Sequence, residues 1–250
     1  LHRLKQLSLT NSTFDGLIYN TEKFMTELLA IKSDLIFHWD EAWFAFAHFS
    51  PLYQDRTAMR VANKLNEKFK APQYKDFYKK WKTKFTQQNL DNDSTWLDQP
   101  LHPDPENTTI RVYATQSTHK TLTSFRQGSM IHIFDTEFDN TIFLEAYRMH
   151  SSTSPNYQII ASLDVGRRQV ALEGYEKIKN TLYLASNLRK LLDNDDQLSR
   201  YFTVLNDTEL VPGNTHNKKS PDISNTYADL CRNWKDAEFV VDPTRVLVDI

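Results

Sequence analysis

The spacing of apolar side chains changes several times along the chain, and each change predicts an element. Ser8 to Thr13 is a short β-compatible run closed by Phe14, Asp15 and Gly16, since Asp-Gly tolerates the left-handed backbone of a tight reversal. With Thr21 as N-cap, Phe24, Leu28 and Ile31 then recur at helical spacing. Asp34 to Trp39 is almost continuously apolar, the pattern of a parallel strand covered on both faces, and it delivers Asp40 to its carboxyl end. Strand, helix and strand together predict a βαβ unit. A second helix is predicted over Thr57 to Phe69 through Met59, Ala62 and Leu65 or Asn66.

Asn63 to Phe85 is rich in lysine, with Tyr74, Phe77, Tyr78, Trp81 and Phe85 interleaved. Such a stretch is either an amphipathic helix with its aromatics turned inward or a basic face for single-stranded nucleic acid or an acidic partner. Leu90 to Asn107 carries turn residues and prolines and reads as a loop. Val112 to Thr115 suits a buried strand, Met130 to Phe134 a further one, and Glu137 to Met149 a helix. Ser154 before Pro155 is placed as an N-cap with proline at the first helical position. From Asn156 to about Asn194 the stripe Tyr175, Ile178, Leu182, Ala185, Leu188 and Leu192 predicts two helices parted near Gly174. Tyr201 to Leu205 is a candidate strand, Val211 to Ser224 a polar loop, and Phe239 to Ile250 a strand pair bent at Asp242-Pro243.

Composition narrows the class. With 250 residues, 40% hydrophobic content and a net charge of -2, the chain can bury a sizeable core and gives no reason to expect nucleic acid or an anionic membrane as its main partner. Cys231 is the single cysteine, so a disulfide framework and a cysteine metal site are both excluded and a cytoplasmic location is expected. No apolar stretch nears the roughly 18 residues of a membrane span. With 5 glycines and no G-x-G-x-x-G or Walker-type loop, nucleotide binding has little support. His38 and His48 lack ligand-spaced company, so packing or surface roles are expected and no metal site.

Chemistry gathers around Lys120. Thr115 to Thr118 places hydroxyls at the exit of a predicted strand, where open α/β sheets hold their ligands. A loop lysine there is either solvated or a nucleophile held in a partly dry pocket. Hydroxyls for a phosphate beside an amine for an aldehyde describe a pyridoxal phosphate site. Asp40 also has two readings: a helix cap or surface ion pair, or a carboxylate kept for a positive partner.

At these residues the sequence resembles a known family. ATQSTHKTLTSFRQGSMIH is similar to the cofactor-lysine segment of the bacterial ornithine/lysine/arginine decarboxylases, which are fold type I pyridoxal phosphate enzymes. The resemblance returns, in the family's order, in TNSTFDGLIYN, DEAWFAFAHFSPLY, HSSTSPNYQIIASLDVGRRQ and DPTR (Asp242 to Arg245). It implies an α/β fold, a three-layer α/β/α sheet, with residues 1 to 195 forming part of the major cofactor domain and 196 to 250 the start of a smaller α+β C-terminal domain. It makes Lys120 the Schiff-base lysine. From the D-x-A-W motif, Asp40 pairs with the pyridine nitrogen, Ala42 packs on the ring face and Trp43 approaches the phenolic oxygen. Ser117 and Thr118 join the phosphate site. His119 is either an aid to phosphate anchoring or proton delivery, or an ordinary loop histidine. Thr153, among several interchangeable hydroxyls, reaches across a homodimer or higher homo-oligomer to the neighbour's cofactor.

The implied reaction removes the α-carboxylate of arginine, lysine or ornithine to leave a polyamine-type amine and CO2, with a lean toward arginine. Glu41 fills the motif's variable position and carries no expected role. Residues 63 to 107 look like a peripheral insertion between Asp40 and Lys120. Because the chain opens at Leu1 and closes on a strand pattern at Ile250, the family comparison predicts an internal fragment that is inactive alone. The upstream phosphate loop and the ring-stacking histidine are expected before Leu1. A non-catalytic subunit of the same fold, a pyridoxal phosphate aminotransferase and a basic-helix binding module are the competing readings. The first has little reason to keep Lys120, Asp40 and Ser117 together, and Q-S-T-H-K is not the usual aminotransferase context.

Overall fold

A computed structural model describes residues 3–88, 90–97, 99–205, 210–211, 231–232, 234–235 and 237–250. At its centre is a four-stranded sheet in the order β1-β3-β4-β5, from β1 (Gln6–Thr10), β3 (Ile36–Asp40), β4 (Arg111–Ser117) and β5 (Ser129–Asp135). The first three strands run parallel and β5 returns antiparallel, so the predicted βαβ unit is present within a mixed α/β sheet. Register sets the faces. Leu9, Trp39 and Ala114 align across β1, β3 and β4, as do Leu7, Phe37 and Val112 one layer earlier.

That apolar face is covered by α1 (Thr21–Ile31) and α2 (Ala58–Lys70), whose Met25, Leu29, Val61, Ala62 and Leu65 are buried with Phe37, Trp39 and Val112. Burying side chains of this size stabilises by about 1.5–3 kcal/mol each. Helix α1 starts one residue earlier than expected: the Asn20 side chain caps it by accepting from Lys23 N at 3.1 Å. Its buried positions are Thr21, Met25 and Leu29, with Phe24 and Leu28 on the flank and Ile31 exposed. The other face of the sheet is polar toward the carboxyl ends of β1, β3 and β4. There His38 bridges Ser8 Oγ at 3.2 Å and Thr115 Oγ1 at 3.1 Å, a row across three strands that ends beside Asp40.

Leu65, Phe69 and Tyr74 belong to the main core, so the segment 63 to 107 is not peripheral from its start. The excursion proper is α3 (Pro72–Thr86) and the chain after it, in which α4 (Asp93–Leu97) adds a short helix inside the expected loop. Trp81 stacks on Phe85 at 4.9 Å and meets His102 edge-on at 5.1 Å, while Phe85 meets Trp96. The aromatics thus pack against their own loop, and Lys75 and Lys82 pair with Glu106 and Asp104.

The chain leaves β3 through two acids with opposite fates. Asp40 stays on the polar face, whereas Glu41 is completely buried. One carboxylate oxygen of Glu41 accepts from Ala58 N at 2.8 Å and Asn11 Nδ2 at 3.3 Å, and the other from Gln116 Nε2 at 2.9 Å. One side chain therefore ties the exit of β1, the start of α2 and the end of β4. Burial pushes its carboxyl above the ordinary value and outweighs those donors; the nearby Asp40 charge adds to the push.

Downstream, α6 (Asn140–His150) is followed by one continuous helix, α7 (Tyr157–Asn194), capped by Asn156 rather than Ser154 and unbroken at Gly174. The glycines in α7 serve close packing. A Cβ at Gly166 would stand 2.2 Å from the Thr123 carbonyl oxygen, and one at Gly174 would crowd Val170 and Phe49. Ile178 and Leu182 share a second core with Ile18, Phe44, Tyr53, Trp234 and Val240. The last strands do not pair with each other: β7 (Phe239–Val241) joins β2 (Leu17–Tyr19), and β8 (Val248–Asp249) joins β6 (Thr203–Val204). Arg56 adds to this closure through the Trp234 and Ala237 carbonyls, the latter at 2.7 Å; burial pulls its guanidinium down to about 10, still charged at neutral pH. The predicted polar loop from Val211 to Ser224 lies, beyond Val211, outside the described residues. Among the described residues no helix is long and apolar enough to cross a membrane.

Two outcomes are expected. Because the folded Glu41 holds its proton more tightly than the unfolded chain does, its contribution is complete below the ordinary value of 4.5 and is lost as pH rises through the raised one. Glu41→Gln should therefore gain in Tm relative to the native protein as pH climbs from about 4 to about 7; a difference that stays flat or shrinks refutes the assignment. Gly166→Ala should destabilise by about 1–3 kcal/mol by overpacking, against the helix propensity of alanine. Denaturant titration finding the Ala form equally stable would remove the close approach as its cause.

Candidate functional site

The carboxyl edge of the parallel strands gathers the residues singled out in the sequence. Asp40 ends β3 in register with Thr10 and Thr115. Its Oδ1 accepts from Ala42 N at 3.0 Å, a local turn that aims the chain away from the sheet and fixes the carboxylate. The other oxygen has no partner among the described residues. Three residues past the end of β4, Lys120 lies in the short helix α5 (Thr118–Thr121) rather than in a loop. It is exposed, and its Nζ rests 4.9 Å from the centre of the Trp43 ring. Among the described residues the amine meets no carboxylate. A fixed carboxylate with a free oxygen and an uncommitted amine thus flank the same strand ends, joined through the Asp40 to Trp43 turn.

The other expected residues fall around this pair in different ways. Ser117 heads α5 without a capping bond from its side chain, which leaves its hydroxyl free for a ligand. Thr118 is buried, and its Oγ1 has no hydrogen-bond partner. It faces Gly128, where an added Cβ would stand 2.7 Å away. His119 Nδ1 lies 3.0 Å from the Gly128 carbonyl, which can only accept; that nitrogen therefore carries a hydrogen, and Nε2 is the ring nitrogen with no partner among the described residues. Ala42 and Trp43 are half-buried on the turn after Asp40. Thr153 is exposed in the segment between α6 and α7 and makes no hydrogen bond to the described residues.

Two participants escaped the sequence reading. Glu41 has the contacts given above, and the chain continues from it: Gln116 Oε1 lies 3.1 Å from His132 Nε2, whose imidazole is kept below its ordinary value by burial first and then by His48. These groups line a cavity of about 350 Å³ with Arg167 on the side of the sheet opposite Asp40. The only sequence signal for Glu41 was its place beside Asp40 in the same turn. Arg245 is the second: its guanidinium lies 4.9 Å from the centre of the ring that Lys120 also meets. DPTR was visible as a motif but carried no role.

The donor set fits pyridoxal phosphate in part: a free carboxylate oxygen for a protonated ring nitrogen, an amine for an aldehyde, and the Ser117 hydroxyl for a phosphate oxygen.

The family model described as "Orn/Lys/Arg decarboxylase, major domain" matches residues 2–88 and 96–250. Lysine decarboxylase LdcA of Pseudomonas aeruginosa is 32% identical over 205 residues, covering 78% of this chain and 21% of that protein. Biodegradative arginine decarboxylase of Escherichia coli K12 is 28% identical over 244 residues, covering 96% of this chain and 25% of that protein. Among solved structures, lysine decarboxylase A from Pseudomonas aeruginosa superposes with a TM-score of 0.59 at 28% identity, over 98% of this chain and 28% of that one. The chain spans between a fifth and a quarter of the length of these two curated relatives. By the extent of the family match, and with its motifs at one strand edge, the chain belongs to the Orn/Lys/Arg decarboxylase family and carries sequence of its major domain.

Proposed function

We propose that this chain supplies the cofactor lysine and the ring-nitrogen carboxylate of a pyridoxal phosphate-dependent, cytoplasmic decarboxylase acting on a basic amino acid. The observation that carries this reading is the pairing of Asp40, with one oxygen free, and Lys120, with its amine uncommitted, at the carboxyl edge of β3 and β4. Bound pyridoxal phosphate supplies a sink for the electrons left on the α-carbon when the carboxylate departs. Asp40 keeps the ring nitrogen protonated through its free oxygen. Lys120 holds the aldehyde carbon through its amine, and the Trp43 face beneath it keeps that amine at the strand edge. His119, whose Nδ1 is taken up by the Gly128 carbonyl, has Nε2 left to accept a proton and, when protonated there, to donate to a phosphate oxygen. Ser117 donates to the phosphate.

The lean toward arginine is not favoured, since the relative named for arginine is 28% identical and the one named for lysine 32%. Lysine, arginine and ornithine share the reacting atoms, and lysine is the first to test. A second copy of the chain remains the proposed partner of the exposed Thr153 loop. The exposed apolar side chains nearby, Met149 at 81% and Tyr157 at 78%, suit burial against such a copy. A division near residue 195 into cofactor domain and following domain is retained as part of the proposal.

In the intact protein, borohydride should fix pyridoxal phosphate on Lys120, and Lys120→Ala should abolish both that attachment and nearly all decarboxylation of lysine, arginine and ornithine. Asp40→Ala should still accept the cofactor at Lys120 but turn over more slowly by orders of magnitude, because an unprotonated ring is a poor electron sink. Peptide mapping that finds the cofactor on another lysine, or full activity in Lys120→Ala, defeats the proposal.

A further inference from the structure

The ring under Lys120 is held by a second cation, and the groups that place this cation come from both ends of the chain. Arg245 follows the turn at Asp242, whose side chain is fully buried and accepts from Tyr53 Oη at 2.7 Å, Thr244 N at 3.0 Å and Thr244 Oγ1 at 2.7 Å. Asp242 N donates to the Gly16 carbonyl at 2.8 Å, which docks the turn on the reversal after β1. Arg245 Nη1 donates to the Phe14 carbonyl at 2.9 Å, its Nε lies 3.7 Å from Asp242 Oδ2, and its own carbonyl accepts from Arg189. Phe14 in turn meets the Trp43 ring edge-on at 5.6 Å. The arrangement needs a glycine at 16. Its φ is +93°, and a Cβ there would stand 2.9 Å from Arg245 Cγ.

We propose that Arg245 is a positioning residue for Lys120: with Phe14 it clamps the Trp43 indole, and the clamped ring presents the Lys120 amine at one place on the strand edge. The inference rests on the reading of Lys120 as the cofactor lysine and deepens it. Three observations point the same way. Both cations lie 4.9 Å from the centre of one ring, which an unconnected surface arginine has no reason to do. The arginine is only 18% exposed along its side chain, so its aliphatic part is spent on packing and its planar head on the indole. And TNSTFDG and DPTR, which lie more than two hundred positions apart, meet beside this ring through the Gly16 and Phe14 carbonyls.

Arg245 touches no reacting atom in this arrangement, so its effect must pass through Trp43, and that makes the test. Intact protein stripped of cofactor is mixed with pyridoxal phosphate; the lysine amine condenses with the aldehyde and releases one water, and borohydride then reduces the C=N bond so that peptide mapping reads the rate at each lysine. Arg245→Met should slow attachment at Lys120 by about threefold to tenfold, the range of a lost cation-to-indole contact, and leave other lysines unchanged. Arg245→Lys, which restores a cation, should stay within about twofold of the native rate. In a Trp43→Leu background, Arg245→Met should have no further effect, because the coupling runs through the ring. A native rate in Arg245→Met, an equal slowing at all lysines, or full additivity with Trp43→Leu overturns the inference while the cofactor reading stands. Failure of the native protein to attach cofactor at Lys120 is the separate result that removes both.

Discussion

A fully buried carboxylate sets the geometry at the end of β3. Glu41 is fully buried, and each donor it accepts from belongs to a different part of the chain: the residue after β1, the first amide of α2 and the end of β4. A buried acid without such donors costs several kcal/mol, so the backbone can leave the strand in few other ways. Because successive residues of an extended chain point to opposite sides, fixing Glu41 inward fixes Asp40 outward onto the polar face. The site carboxylate is therefore aimed by its neighbour. The neighbouring charge is felt in return, since Asp40 helps keep Glu41 above its ordinary value.

A second constraint comes from the end of the chain. The Asp242 turn is nailed to Tyr53 and Gly16, Arg189 braces it through the Pro243 and Arg245 carbonyls, and Arg56 holds the segment before β7 through the Trp234 and Ala237 carbonyls. Such carbonyls are strong acceptors that must be paired when buried, and a guanidinium pairs two at once. Residues far apart in sequence thereby build the floor on which Trp43 rests. Sheet and floor meet at Lys120, which is carried by a four-residue helix and can be placed only by what surrounds it.

The strands were legible because period and composition agreed: β3, β4 and β5 fall where continuous or alternating apolar residues predict them. The helix faces were read one position off at α1, where Asn20 rather than Thr21 takes the cap and rotates the buried stripe to Met25 and Leu29. Gly174 looked like a break because glycine lowers helix propensity; the helix continues since Phe49 needs the room that a side chain would take. The edge of the insertion was misjudged at Leu65 and Phe69, whose lysine-rich neighbours hid an apolar stripe belonging to the main core. Asp40 and Lys120 stood out through motifs, but nothing local separates a buried Glu41 from a solvated one. That distinction depends on Asn11, Ala58 and Gln116, which only the folded chain brings together.

The same geometry bears on how a basic substrate would be told from a neutral one. Its distal ammonium or guanidinium needs a carboxylate, and neither acid at the end of β3 is free to provide it. Glu41 is closed in by three donors on the far side of the sheet, and Asp40 is committed to the cofactor ring in the proposed arrangement. Nor is the ring beside Lys120 open to a further cation, because Trp43 already meets both Lys120 and Arg245 at 4.9 Å. In the proposed arrangement the Lys120 edge would thus disfavour the substrate's distal end while suiting its α-amino group and carboxylate. Under the proposed function, discrimination among lysine, arginine and ornithine would then rest on groups beyond this edge, and these residues would hold the chemistry common to all three.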